Sequence, residues 1–143
     1  MDHRLEVLLV EDDPADAELT RRMLEQGNLD VNIQTVTDGV KAMAYLRRET
    51  PYFDATRPDL VLLDLNMPRK DGREVLKEVK ADPGLKTIPI VVVTTSSADE
   101  DIVKTYGLGC NCYVTKPVGL DQFSKMVRTI EEFWLGIVKF PPR

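Results

Sequence analysis

The sequence predicts a doubly wound α/β fold: three α/β/α layers around a five-stranded parallel sheet in the order 2-1-3-4-5. Three observations carry this expectation. Short apolar runs alternate strictly with longer stretches of helical periodicity, giving five strand–helix units. Connections that short force parallel strands with helices on both faces. The first, third and fourth strands carry continuous apolar runs, as central strands do, whereas the second alternates like an edge strand.

Leu5 to Val10 is the first strand, ending abruptly in Glu11-Asp12-Asp13-Pro14. Asp13 can cap a helix whose first turn accepts Pro14. That helix carries Ala15, Leu19 and Met23 on one face and stops near Gly27. Val31 to Val36 is the alternating strand, and Asp38-Gly39 opens a second helix with Val40, Met43, Ala44 and Leu46. A loop from Glu49 to Arg57 precedes the most apolar strand, Asp59 to Asp64. After the turn Leu65 to Gly72, the third helix uses Val75, Leu76 and Val79. Pro89 leads into Ile90 to Thr94, a fourth helix spans about Asp99 to Leu108, and Cys110 to Thr115 is the fifth strand. The last helix starts near Leu120 and uses Phe123, Met126, Val127, Ile130 and Trp134.

Composition narrows the chemistry. With 143 residues, 43% hydrophobic and 30% charged, the chain suits one soluble domain. We expect a single unit over 1–143, with a core of about 5–135 and a short extension, 136–143. A net charge of −5 argues against a broad nucleic-acid face. No apolar run is long enough for a bilayer, and Met1 to Arg4 lacks a signal pattern, so a cytoplasmic location is expected. Cys110 and Cys112, one residue apart, would share a strand face as small buried residues. The lone histidine, His3, sits in a solvated terminus, which argues against histidine zinc sites and histidine-based nucleophilic catalysis.

A sheet of this order gathers its site beyond the carboxyl ends of the strands. There the first strand delivers Glu11, Asp12 and Asp13, the third Asp64, the fourth Thr94 and Thr95, and the fifth Thr115 and Lys116. Clustered carboxylates repel, by roughly 4 kcal/mol per pair at about 4 Å and an effective dielectric near 20. A hard divalent cation with oxygen ligands offsets that cost, and Mg²⁺ also leaves room for a phosphoryl group. With Lys116 as a second positive charge and Thr94 as a hydroxyl donor, a carboxylate here is equipped to attack phosphorus and hold an acyl phosphate.

Four segments now carry a resemblance: Val10 to Asp13, Leu63 to Gly72, Val93 to Ser96 and Tyr113 to Pro117. In this order and at these spacings the chain resembles the receiver domain of two-component response regulators, whose fold is flavodoxin-like, over residues 5 to 135. The resemblance implies that Asp64 is the phospho-acceptor. It implies Mg²⁺ on Asp12, Asp64 and the Asn66 backbone carbonyl, with Glu11 acting through bound water. Thr94 and Lys116 would contact the phosphoryl oxygens, Tyr113 would couple to Thr94 as a switch, and Lys116–Pro117 would be a cis peptide. Where many receivers carry Asp-Asp, this chain has Glu11-Asp12, which can bring Glu11 closer to the metal.

The long 49–57 loop, the Asn66 to Gly72 turn and the ending Phe133-Trp134-Leu135 look like a subfamily of stand-alone regulators paired with phytochrome-type histidine kinases. This implies no enzyme in the ordinary sense but a signalling protein that catalyses its own phosphotransfer and slow autodephosphorylation. Its phosphoryl donor would be a sensor histidine kinase, a bacteriophytochrome among the candidates, or a histidine phosphotransfer protein. Output would be a phosphorylation-dependent protein contact through the fourth helix, fifth strand and fifth helix. The apolar tail, with Ile137, Val138 and Phe140, folds over its own core, joins a homodimer or meets another partner. A phosphatase of the haloacid-dehalogenase type would need a second Asp where Asn66 stands. A flavin or nucleotide site would need a phosphate loop where Glu11-Asp12-Asp13 repels phosphate. The alternative from another class is a receiver-fold scaffold or adaptor that is never phosphorylated.

Overall fold

The computed structural model describes residues 4–142, so His3 lies outside the described residues. Its elements are β1 (Leu5–Val10), α1 (Pro14–Glu25), β2 (Val31–Val36), α2 (Gly39–Leu46), β3 (Leu60–Leu63), α3 (Gly72–Ala81), β4 (Ile90–Thr94), α4 (Asp99–Gly107), β5 (Cys112–Thr115) and α5 (Leu120–Ile130). One π-helical turn, Glu131–Leu135, continues α5. The strands form one parallel sheet in the order β2-β1-β3-β4-β5.

Alternation along β1 divides the core into two layers. Leu8 and Val10 face α2 and α3, packing with Met43, Leu46, Val75, Leu76 and Val79. Val7 and Leu9 face α1 and α5, packing with Leu24, Phe123, Val127 and Ile130. Because both faces are covered, β3 and β1 from Val7 onward are wholly apolar, and the charged residues collect at the strand ends.

Asp13 caps α1 as expected, accepting from the N–H groups of Ala15 and Asp16, with Pro14 in the first turn. Asp38 and Asp71 cap α2 and α3 in the same way. These caps fix where each helix leaves the carboxyl edge of the sheet.

Several expectations change. The buried stripe of α1 is centred on Thr20 and Leu24 rather than Ala15, which is exposed, because the helix leans on α5 and β2 rather than squarely on the sheet. In α2, Ala42 and Tyr45 are buried while Val40 is exposed. The fifth strand starts two residues later than expected. Asn111 spends its side-chain oxygen on the N–H of Ile90 and on Lys80 Nζ, making a turn. The cysteines therefore part: Cys110 packs into the α2–α3 layer and Cys112 against the α1–α5 layer, both as free thiols.

The Lys116–Pro117 bond is trans, contrary to the cis peptide expected; among the described residues the cis bond is Thr50–Pro51. Trans is the isomer an X-Pro bond prefers by roughly 0.5–1 kcal/mol. It is compatible with the Lys116 N–H donating to the Thr94 carbonyl at 2.6 Å while Lys116 Nζ reaches Glu11. The tail folds back: Phe140 packs against the α1–α5 layer, and Pro141 and Pro142 lie beside Arg57, Pro58 and Pro89. No helix among the described residues is long and apolar enough to cross a membrane.

Candidate functional site

Parallel pairing in register brings the ends of β1, β3, β4 and β5 side by side, Val10 opposite Leu63 and Thr94 opposite Thr115. The residues just beyond those ends must therefore share one crevice. Glu11, Asp64, Thr94 and Lys116 are all buried there, while Asp12 is exposed at the rim. Carboxylate oxygens of Glu11, Asp12 and Asp64 all lie within 4.8 Å of one another.

One ammonium serves this cluster. Lys116 Nζ donates to Glu11 Oε1 at 2.5 Å, to Asp16 Oδ2 at 3.0 Å and to Asp64 Oδ2 at 3.4 Å. Burial pushes the Glu11 carboxyl up to about 7, helped by the Asp64 charge and opposed by Lys116. Burial on its own would lower the Lys116 ammonium, but the hydrogen bonds it donates to Glu11 and Asp16 hold it above its ordinary value. Lys116 stays charged, and the cluster remains acidic beyond what one ammonium neutralises.

That imbalance tests whether a metal fits. The donors are all oxygen, they converge on one point, and their charge exceeds the charge of the ammonium beside them. Hard divalent cations take such donor sets, and a soft metal would want thiolate or imidazole.

The opposite wall is neutral. Thr94 is fully buried, and its Oγ1 accepts from Asn66 Nδ2 at 3.4 Å; the Asn66 N–H in turn donates to Asp64 Oδ1 at 3.3 Å. Thr95, its neighbour in sequence, is exposed. The half-buried Tyr113 donates its hydroxyl to the Ser96 carbonyl at 2.9 Å rather than to Thr94. Glu11, Asp12, Asp64 and Lys116 are thus assembled as the sequence suggests, Thr94 joins them through Asn66, and Tyr113 stands one step away.

Three contributions escaped the sequence reading. Gly72 starts α3 against the turn that follows β3, where a Cβ would lie 2.2 Å from the Asp64 carbonyl oxygen, so only glycine lets α3 approach. Asp101 binds the β4–α4 loop to α3, accepting from Ser96 Oγ at 2.5 Å and pairing with Arg73 at 3.3 Å. Asp16 holds Lys116. The signal for Asp16 was its place in the first turn of a helix that starts directly after Glu11-Asp12-Asp13. Nothing local marks Asp101 as reaching Arg73.

Known proteins match this geometry. The family model for the response regulator receiver domain matches residues 7–128. Response regulator Rcp1 of Synechocystis sp. is 47% identical over 135 residues, covering 94% of this chain and 92% of that protein. The crystal structure of the phosphorylated cyanobacterial phytochrome response regulator RcpA superposes with a TM-score of 0.94 at 49% identity, covering 98% of this chain and 100% of that one. The Mn²⁺-bound form of Rcp1 also gives a TM-score of 0.94, at 46% identity, over 96% of this chain and 99% of that one.

Proposed function

The chain belongs to the response regulator receiver domain family, and on that premise we propose that it accepts a phosphoryl group on Asp64 in a Mg²⁺-dependent reaction. The observation that carries this reading is the buried Asp64 carboxylate, which shares its crevice with Glu11, Asp12 and the Lys116 ammonium. Glu11, Asp12, Asp64 and the Asn66 backbone carbonyl would hold Mg²⁺, with Glu11 acting through water. When bound, the ion neutralises charge on the phosphoryl oxygens.

The rest is work for the chain's own residues. An Asp64 oxygen attacks phosphorus as the P–N bond to a partner's phosphohistidine breaks, and the departing imidazole nitrogen takes a proton. Lys116 exchanges its contact with Asp64 for a phosphoryl oxygen. Thr94 leaves Asn66 Nδ2 and turns its hydroxyl to another, and Tyr113 leaves Ser96 to fill the space Thr94 vacates. Attack by water on phosphorus later breaks the bond to Asp64 and restores the carboxylate, a slow autodephosphorylation.

The donor in this reading is a sensor histidine kinase of phytochrome type, met in the cytoplasm, or a histidine phosphotransfer protein; the phytochrome-linked relatives support it. Residues 1–143 act as one receiver unit, core 5–135 with extension 136–143. Its output is a phosphorylation-dependent protein contact, with a homodimer as one form. The face of α4, β5 and α5 supports this, since Val103 and Tyr106 are exposed there.

Acetyl phosphate or phosphoramidate with Mg²⁺ should add one phosphate to the intact protein by mass, and Asp64→Asn should remove the adduct. A folded wild type that gains none would favour the unphosphorylated scaffold. Sedimentation with and without phosphoryl donor reads the dimer.

A further inference from the structure

The Lys116 ammonium has three N–H bonds, and each meets a different carboxylate. Two of these, Glu11 and Asp64, belong to the oxygen cluster that suits a divalent cation. The third, Asp16, does not: it stands in the first turn of α1, outside that cluster, with 30% of its side chain exposed. Yet its contact with Lys116, at 3.0 Å, is shorter than the 3.4 Å contact with Asp64.

This division has a consequence for competition. An ammonium deprived of one acceptor turns toward the acceptors that remain. Without Asp16, the remaining acceptors are Glu11 and Asp64, the same oxygens a divalent cation requires. Lysine and metal would then compete for one set of donors. With Asp16 present, part of the ammonium's demand is met on the α1 wall, and Asp64 keeps the longest and weakest of the three contacts.

We propose that Asp16 is a positioning residue for phosphoryl transfer: it draws Lys116 toward the α1 wall and so loosens its hold on Asp64, leaving that carboxylate to the cation. It touches neither the acceptor nor the metal donors and acts through Lys116. The inference rests on the reading of Asp64 as acceptor, and its test separates the two.

The full chain is compared with Asp16→Ala, Asp16→Asn and Asp16→Glu, and Asp16→Ala is also made in a Lys116→Met background. Mn²⁺ affinity is read from the spin-resonance signal of free Mn²⁺, and the phosphoramidate rate is followed against Mg²⁺ concentration. Asp16→Ala should weaken Mn²⁺ binding about five-fold, the net scale of one ordinary hydrogen bond. Phosphorylation should slow at low Mg²⁺ and regain the wild-type rate at saturating Mg²⁺, a split that mere misfolding would not produce. Asp16→Glu should restore affinity, and Asp16→Asn should fall between. In Lys116→Met the same Ala change should shift Mn²⁺ affinity by about two-fold or less, since the mediator is gone.

Unchanged Mn²⁺ binding in Asp16→Ala overturns the proposal. So does an equal loss in the Lys116→Met background, which would make Asp16 a direct attractor of the metal. A wild type that takes no phosphate overturns the acceptor reading alone, and the Mn²⁺ titrations still decide the role of Asp16.

Discussion

Buried acids at the two ends of this sheet live under opposite conditions. At the amino end Asp59 is 6% exposed, and its Oδ2 accepts the Glu6 N–H at 2.9 Å. Beside it, Asn32 Nδ2 donates to Glu6 Oε2 at 2.7 Å, and Arg57 ties the Gly84 carbonyl and Thr87 together. At the carboxyl end Asp64 is 7% exposed, but it shares one ammonium with Glu11 and Asp16. Burial is nearly equal; the partners differ. A carboxylate paired with a backbone N–H of its own holds the fold together. One that competes for a shared cation stores repulsion, which a metal or a phosphoryl group can relieve or redirect. The first arrangement serves stability and the second serves response.

That contrast can be broken by experiment. The largest effect is expected from Lys116→Met, which leaves the acidic cluster without its ammonium. The metal-free protein should lose about 3 kcal/mol of stability in urea titration. Saturating Mg²⁺ should return much of it, because the ion binds only the folded state. Equal losses with and without Mg²⁺ would mean that the cluster does not respond to cations.

At the other end, Asp59→Ala strands a partly buried N–H on Glu6 and should cost about 2 kcal/mol. Here Mg²⁺ should make no difference to the loss.

Glu11 gives a pH test. Its carboxyl is raised from 4.5 to about 7 in the folded protein, so between those values the folded state holds a proton that the unfolded chain has released. Metal-free stability should therefore fall as pH rises through this window, by on the order of 2 kcal/mol, and level off above it. Glu11→Gln should flatten the slope; an unchanged slope would place the proton elsewhere.

The smallest effect carries an unusual sign. Asp64→Asn removes one repelling charge and should stabilise the metal-free protein by about 1 kcal/mol while abolishing the phosphate adduct. The same Asp-to-Asn change at position 59 should destabilise. A destabilised Asp64→Asn would refute the view that the carboxyl end stores repulsion.

Much of this architecture was legible in the residues. Apolar runs covered on both faces named β1, β3 and β4 as central, and the alternation of Val31, Ile33 and Thr35 named the edge, which is how the sheet is ordered. Asp13 and Pro14 announced the start of α1. The acids after β1 and β3 and the lysine after β5 could be brought to one crevice because parallel strands share a direction and their ends must coincide.

The remaining details depended on contacts between distant segments. The rotation of α1 that buries Thr20 and Leu24 depends on where α5 lies. Asn111 delays β5 because it finds the N–H of Ile90, twenty-one residues away, which in turn sends Cys110 and Cys112 to opposite layers. The isomer at Lys116–Pro117 rests on a preference of roughly a kcal/mol, too small for a motif to fix against its surroundings. Sequence by itself determined the order of elements and the chemistry at their ends, since period, polarity and capping are local properties. Tertiary structure decided which acid holds the lysine, because a single ammonium placed among Glu11, Asp16 and Asp64 is apportioned by distances that no local pattern encodes.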